Sequence, residues 1–449
     1  KQNKILFITS RVIVCVLIFF MCSVFFRMFT RFVLVQKLNM DNVFVDIVMF
    51  DAEGLKMNDE VNAEGPADEK IYIDWSELYP YEEDIVSEDS DNSIFSSFVS
   101  AVFNVENGIS AYTNDNLILY PSFVEGANAY KNIVDWELYP PDEYNQVVVV
   151  EGDYLARMDR ATDADLYIDS VTSFDKFIEG ENIPYVFVQA PSKVCTEDDE
   201  SGVIDFSNQN IAAILKGLEK NKVDYIDLHE ELHSAKMEHH ASFYNTDHHW
   251  KAETGLWAAG VISEWLNESV DAEIDISVFG PENYRYDTYE DVFLGSQGKK
   301  LTLSTATTED FSYIYPNKPV NFTIDIPTLA LNETGDFDVI YDYSQYISGN
   351  IYDSNMYASY MHSLNAITTI TNNDCPGGKN ILIVGDSFNW SVAPFLAQEV
   401  SSVTFLELTE FNGSLEKYVK NNKFDAVVML YSALSEFLTE STAKERFDF

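Results

Sequence analysis

The chain has 449 residues, enough for more than one domain, and 46% are hydrophobic, so a sizeable core can form. Its formal net charge of -46 at pH 7 excludes nucleic acid as a partner, because neutralising phosphates requires a basic surface. The same charge makes an anionic membrane surface a poor partner for the bulk of the chain.

The first segment runs against that charge. Residues 1–37 contain Lys1, Lys4, Arg11, Arg27, Arg31 and Lys37 and no acid. They also contain "ILFITSRVIVCVLIFFMCSVFFRMF", which supplies the ~20 mainly apolar residues of a spanning helix if Arg11 and Arg27 lie at the interfaces. No small-x-small cleavage site follows. The expectation is an uncleaved transmembrane signal anchor over 1–37, a single pass through the cell membrane, with the acidic body extracellular. Residues 38–145 are acidic and irregular, with "DWSELYP" at 74–80 echoed by "DWELYP" at 135–140. Two short matches do not make a repeat architecture, and the span is expected to form a stalk or N-terminal subdomain.

From about 146 strands and helices alternate. "NIPYVFVQAP" is a buried-strand run, "NQNIAAILKGLEKN" has helical periodicity, and "KVDYIDL" is a second strand. "KAETGLWAAGVISEWL" is the next helix, with Trp257, Val261 and Trp265 at i, i+4 spacing and Leu256 and Gly260 on the adjoining face. Later come "KNILIVGDS", a helix over "NWSVAPFLAQEV", a strand in "SVTFLEL", a helix in "SLEKYVKNN" and a strand in "FDAVVMLYS". Such alternation predicts a parallel sheet with helices on both faces. Between 271 and 371 the rhythm breaks into a Tyr- and Thr-rich insertion. Within it "KLTLSTATTED" and "VNFTIDIP" resemble strands. Its eleven tyrosines either pack the insertion or stack on sugar faces, and packing is the expectation for most. Cys195 follows one strand and Cys375 precedes another, which puts them at opposite ends of a parallel sheet and argues against a bridge.

Two stretches carry candidate chemistry. In "ILIVGDSFNW" an apolar strand runs into Gly385-Asp386-Ser387, and in parallel α/β sheets sites form at the carboxyl ends of strands. Ser387 there is a candidate nucleophile whose own N–H, at a helix start, favours a developing oxyanion. Alternatively Ser387 or Asp386 is a helix N-cap. A serine hydroxyl needs a base and the base needs an orienting acid. "SFYNTDHHWKAETG" at 242–255 offers His249 and Asp247, although Asp247 alone reads as an N-cap. His248, next to His249, is expected to point away from it, and Trp250 to pack the turn. "HEELH" at 229–233 matches a zincin pattern, with His229 and His233 on one helix face and Glu230 as base. It lacks the long apolar helix of such sites and ranks behind the triad, and a surface cluster without a role is the expectation for 229–240. No cofactor or metal is implied.

"TDHHW" followed by an Ala/Gly-rich helix, then "GDSF", with "FVQAPSK" at 187–193, resembles the bacterial DHHW proteins. These are relatives of the SGNH-hydrolase-like proteins of alginate O-acetylation. The resemblance covers about 146–270 and 375–449. It implies a three-layer α/β/α SGNH-like domain, split into 146–270 and 372–449 by the 271–371 insertion. It also implies a triad of Ser387 as nucleophile, His249 as general base and Asp247 as its orienting acid, with the serine last in the chain. Asn389 is a candidate oxyanion or substrate contact. The implied chemistry is acyl transfer, to sugar or to water, on O-acetyl groups of a cell-surface polysaccharide, beside a multi-spanning membrane O-acyltransferase. The chain departs from many relatives in having Thr409-Glu410 where a basic residue is expected after "VTFLEL". A glycan-binding or assembly protein without catalysis, and less so a zinc hydrolase, are the alternatives.

Overall fold

A computed structural model of the protein describes residues 147–195, 205–346 and 351–432. The expected anchor over 1–37 and stalk over 38–145 lie outside the described residues. Among the described residues no helix is long and apolar enough to cross a membrane.

The apolar runs become strands of one eight-stranded sheet in the order β4-β3-β12-β10-β11-β9-β7-β8. Its parallel part is β4 (Tyr225–Asp227), β3 (Tyr185–Gln189), β12 (Ala426–Tyr431), β10 (Asn380–Gly385) and β11 (Ser402–Leu406). β3, β12 and β10 are apolar at nearly every position because both faces are covered, while β4 at the edge is only partly buried. Ile381, Ile383, Val428, Leu430, Val186 and Val188 face one core, shared with the helix Ala252–Val270. Leu382, Val384, Val427, Met429, Tyr185 and Phe187 face the other, with the helices Asp165–Gly180, Ser207–Asn221 and Leu415–Asn421. In chain order these helices are α1 (Asp165–Gly180), α2 (Ser207–Asn221), α3 (Leu228–Ser234), α4 (Ala252–Val270), α5 (Ser296–Leu301), α6 (Ala393–Leu396) and α7 (Leu415–Asn421). The period-2 alternation divides each strand between two helical layers, which is the three-layer α/β/α arrangement.

The sheet is mixed rather than parallel. β9 (Ile367–Asn372) runs antiparallel to β11, β7 (Phe322–Ile326) antiparallel to β9, and β8 (Leu331–Gly335) antiparallel to β7. All three strands come from the Tyr-rich 271–371 span, which therefore extends the sheet instead of standing apart from it. The same span forms a separate ribbon, β5 (Tyr284–Phe293) with β6 (Glu309–Pro316), and β1 (Val147–Glu151) pairs β2 (Tyr154–Arg157). "VNFTIDIP" is β7 as expected, but "KLTLSTATTED" is not a strand: α5 ends at Leu301, a turn follows, and β6 starts at Glu309. The helix expected over 389–400 is broken into a 3-10 turn, Ser387–Ser391, and the four-residue α6. Pro394 sits in the first turn of α6, where proline begins helices rather than continuing them.

Trp257, Val261 and Trp265 are half-buried on α4, while Leu256, Ala259, Ile262 and Leu266 form its fully buried stripe. Of the eleven tyrosines, Tyr284, Tyr313, Tyr315, Tyr341, Tyr357 and Tyr360 are buried, so packing is their main role. Cys195 and Cys375 are unbridged.

Candidate active site

β10 sits where the topology changes hand. The chain leaves it for β11 on one side and returns through α7 to β12 on the other, which opens a crevice at the carboxyl end. At that end Gly385 is fixed by space. A Cβ there would lie 2.1 Å from the Leu430 carbonyl oxygen and 2.2 Å from Asn389 Nδ2. Asp386 then takes the capping role: its carboxylate accepts from the Phe388 N–H at 3.2 Å, the Ser432 N–H at 2.9 Å and the Ser432 hydroxyl at 2.6 Å. This ties the ends of β10 and β12 together and leaves Ser387 to lead the 3-10 turn.

The "TDHHW" segment is a loop clipped at both ends. Phe243 and Trp250 form an antiparallel bridge, the Tyr244 N–H donates to the His249 carbonyl at 3.2 Å, and the Lys251 N–H donates to the Ser242 carbonyl at 2.9 Å. Trp250 is fully buried, and its indole N–H donates to Ser391 Oγ at 2.9 Å. Gly255 of α4 allows this approach, since a Cβ there would lie 2.3 Å from Ser391 Oγ. Trp250 therefore bolts the His249 loop to the Ser387 turn. The N-cap of α4 is Lys251, so Asp247 is not used as a cap.

The three residues meet. His249 Nε2 and Ser387 Oγ are 2.7 Å apart, and His249 Nδ1 and Asp247 Oδ1 are 2.6 Å apart. Asp247 Oδ1 also accepts from the His249 N–H at 3.0 Å, and Oδ2 accepts from the Ser296 N–H at 2.6 Å. Because the carboxylate is acceptor-only, the His249 proton sits on Nδ1 and Nε2 presents its lone pair to the serine. Burial alone would raise the Asp247 pKa. The nearby His248 and His249, with hydrogen bonds from His249 and the Ser296 N–H, outweigh it and hold the group well below its usual range. The acid is ionised at neutral pH and buried, with 4% exposure.

Much of the support lies in residues that the sequence did not mark. Lys193, in the loop after β3, donates from Nζ to the Asp247 carbonyl at 2.6 Å, the Asn245 carbonyl at 3.0 Å and Gln297 Oε1 at 2.9 Å. Burial draws its pKa down, and Asp247 and Glu309 partly oppose that. Glu309 accepts from the Asn245 and Thr246 N–H groups at 2.8 and 2.7 Å. Gly295 packs flat on Asp247. Tyr357, from the Tyr-rich span, stacks on the His249 ring at 3.9 Å and donates to the Ser387 carbonyl at 3.1 Å. "FVQAPSK" had marked the Lys193 segment without assigning the lysine a role; Glu309, Gly295 and Tyr357 gave no local pattern.

Three expectations need correction. Asn389 is fully buried, and its amide N–H groups donate to the Asp386 carbonyl at 3.0 Å and the Leu430 carbonyl at 2.9 Å. Both hydrogens are committed to shaping the turn, so Asn389 is not an available oxyanion donor. His248 does not point away from His249: their ring centroids are 3.8 Å apart, and Nδ1 lies 2.8 Å from Ser296 Oγ. The 229–240 cluster is not a surface feature throughout, since His239 is 2% exposed. The zincin geometry fails as well. α3 has only seven residues and Glu230 is exposed, leaving it outside any enclosed metal site. Beside the triad lies a small cavity of about 30 Å³, lined by Arg157, Lys193, His248, Gln297, Phe388 and Ser432.

A serine at a strand end in such a sheet, reached by a histidine loop, is the layout of the SGNH hydrolase-like class. Residues 151–285 match the family model described as SGNH hydrolase-like domain, acetyltransferase AlgX. That match contains "TDHHW" and bears out the resemblance to SGNH-hydrolase-like proteins, and with it the expectation of an acyl-handling enzyme at that level. Among solved structures the chain is similar to Bacillus cereus PatB1 with a sulfonyl adduct: 18% identity, TM-score 0.53, over 67% of this chain and 98% of that one. It is also similar to a DHHW family protein from Eubacterium siraeum: 16% identity, TM-score 0.52, over 68% and 95%. These similarities are of fold. No curated protein matches the sequence.

Proposed function

We propose that the protein is a serine-dependent O-acetyltransferase or esterase acting on O-acyl groups, chiefly O-acetyl, of a cell-surface polysaccharide. The observation that carries this is the unbroken chain Ser387 Oγ, His249 Nε2, His249 Nδ1, Asp247 Oδ1, with links of 2.7 and 2.6 Å. The acetyltransferase description of the matched family supports the acyl group. The membrane anchor, the extracellular setting and the partnership with a membrane O-acyltransferase belong to this proposal and rest on residues 1–37.

Ser387 Oγ attacks the acyl carbonyl as its proton passes to His249 Nε2. Asp247 keeps the imidazole oriented and stabilises the imidazolium. The carbonyl oxygen takes the negative charge and is met by the Ser387 N–H at the head of its turn. His249 returns the proton to the departing oxygen, leaving acyl-Ser387. A sugar hydroxyl or water then gives its proton to His249 and takes the acyl group, regenerating the serine.

The test is acetate release and acetyl transfer by the full chain, from a chromogenic acetyl ester, with and without polysaccharide acceptors. Ser387→Ala and His249→Ala should each lower turnover by about 10³-fold or more. Full activity in either variant would sink the proposal, as would retained activity that a chelator abolishes.

A further inference from the structure

Six of the seven histidines lie between 229 and 249, and the Ser387 site uses only His248 and His249. His229 and His233 share a face of α3, with ring centroids 4.4 Å apart. The His239 ring lies 5.5 Å from His229 and 5.8 Å from His233. Cys195, buried in the loop after β3, has its Sγ 3.9 Å from His233 Nε2. One ligand atom each from Cys195, His233 and His239 can be drawn within 4.8 Å of the other two.

His239 is the telling member. Its Nε2 lies 2.9 Å from the Ser192 carbonyl, which only accepts, so the proton is on Nε2 and Nδ1 carries a lone pair. That Nδ1 is buried and has no hydrogen-bond partner, and His229 Nδ1 is in the same condition. Buried nitrogens are ordinarily paired, so two orphans in one cluster require an account. A metal-bound histidine typically donates its other ring N–H to a backbone carbonyl, as His239 does to Ser192.

We propose that Cys195, His233 and His239 bind a zinc ion that pins the loop after β3 to α3. A thiolate with imidazoles is the donor set of zinc, not of magnesium or calcium. Zinc bonds of about 2.3 Å to sulfur and about 2.0–2.1 Å to nitrogen place a tetrahedral S/N pair about 3.5 Å apart. The Cys195–His233 separation of 3.9 Å is close to that. Binding exchanges the Cys195 thiol proton for the metal, and the proton leaves to solvent. His233 of "HEELH" thus serves a structural ion, with Glu230 outside it. The pinned loop carries Lys193, whose ammonium supports the Asp247 backbone, so the ion steadies the triad without touching it. The site shares no ligand with Ser387, His249 or Asp247.

The experiment strips the full chain with a chelator and titrates it with Zn²⁺ against a chromophoric competitor. Co²⁺ is then used in place of zinc as a spectroscopic probe. The expected result is one metal per chain and a thiolate-to-cobalt charge-transfer band that survives Cys375→Ser and disappears in Cys195→Ser. His239→Gln should weaken zinc binding by more than the ~10–100-fold typical of an outer-shell change, while His249→Ala leaves it unaltered. Circular dichroism checks that each variant folds, and the band in the unsubstituted protein stands whatever the variants do. No bound zinc, a cobalt complex without the thiolate band, or binding lost in His249→Ala would each overturn the assignment.

Discussion

A Cβ at position 295 would lie 2.3 Å from Asp247 Cβ and 2.6 Å from both its Cα and its Oδ2. Non-bonded carbons settle at about 3.5–4.0 Å, so Gly295→Ala forces a displacement of more than about 1 Å. The backbone at 295 has little freedom to supply it. The Gly295 N–H donates to Thr246 Oγ1 at 2.9 Å, the Ser296 N–H donates to Asp247 at 2.6 Å, and Glu309 holds Thr246 from the other side. The carboxylate that orients His249 must therefore move, although no catalytic atom has been changed. Misplacement by about 1 Å costs on the order of 10²-fold in rate, or about 2.7 kcal/mol of barrier. The assay is kcat/KM for acetyl ester hydrolysis, with circular dichroism as the check on folding. Asp247→Asn, which alters the histidine tautomer directly, should fall further, by about 10⁴-fold. A folded Gly295→Ala protein with the parent kcat/KM would refute the claim that Asp247 must hold this position.

Tyr357→Phe keeps the ring stacked on His249 but loses the hydroxyl donated to the Ser387 carbonyl. Turnover should drop by about fivefold, near 1 kcal/mol, the net worth of one hydrogen bond, and an unchanged rate would remove Tyr357 from the site. Lys193→Met orphans two buried acceptors and one half-buried one and should cost about 3 kcal/mol of unfolding free energy in urea. Stability should also fall with acid in two stages. Burial, then the charge of His249, push His248 down to about 3, against about 6.5 in the unfolded chain. Between those values the unfolded state binds the extra proton, so stability is lost as pH falls below about 6.5. Asp247, held low in the fold, contributes stability above its unfolded value of about 3.9, and this is lost as pH falls below it. A third of the His248 side chain is exposed, so solvent screening keeps its slope below the full ~1.4 kcal/mol per pH unit. Thermal melts across pH ~4–7 check this, and a Tm that falls less steeply with acid in His248→Gln than in the parent is the expected pattern, since buried His239 contributes a slope of the same sign in both.

The strands and long helices were legible because their burial is periodic. β3, β10, β11 and β12 are apolar on both faces, and α2 and α4 carry continuous stripes. The break at 387–396 was hidden because its apolar residues mimic a helical stripe, while Trp250, from outside the segment, fixes the turn through Ser391 Oγ. The antiparallel strands β7, β8 and β9 were hidden because strand direction is a property of pairing, not of a segment. At the site, Asp247, His249 and Ser387 could be found because a nucleophile, a base and an acid each need a particular residue type. Glu309, Gly295 and Tyr357 act through backbone groups and shape, which leave no spacing to read. Asn389 misled because its neighbourhood to Ser387 in sequence says nothing of where its amide hydrogens are spent.

The central claim is that Ser387 is a nucleophile activated by His249. PatB1, similar in fold, has been solved with a sulfonyl adduct, and a sulfonyl fluoride is the corresponding probe for this chain. The full chain is incubated with the reagent, digested and mapped by mass spectrometry. The account predicts one sulfonyl group, on the peptide carrying Ser387, and its absence in a folded His249→Ala protein. An unmodified Ser387 in protein that turns over acetyl esters, or a label that persists at Ser387 without His249, would contradict it.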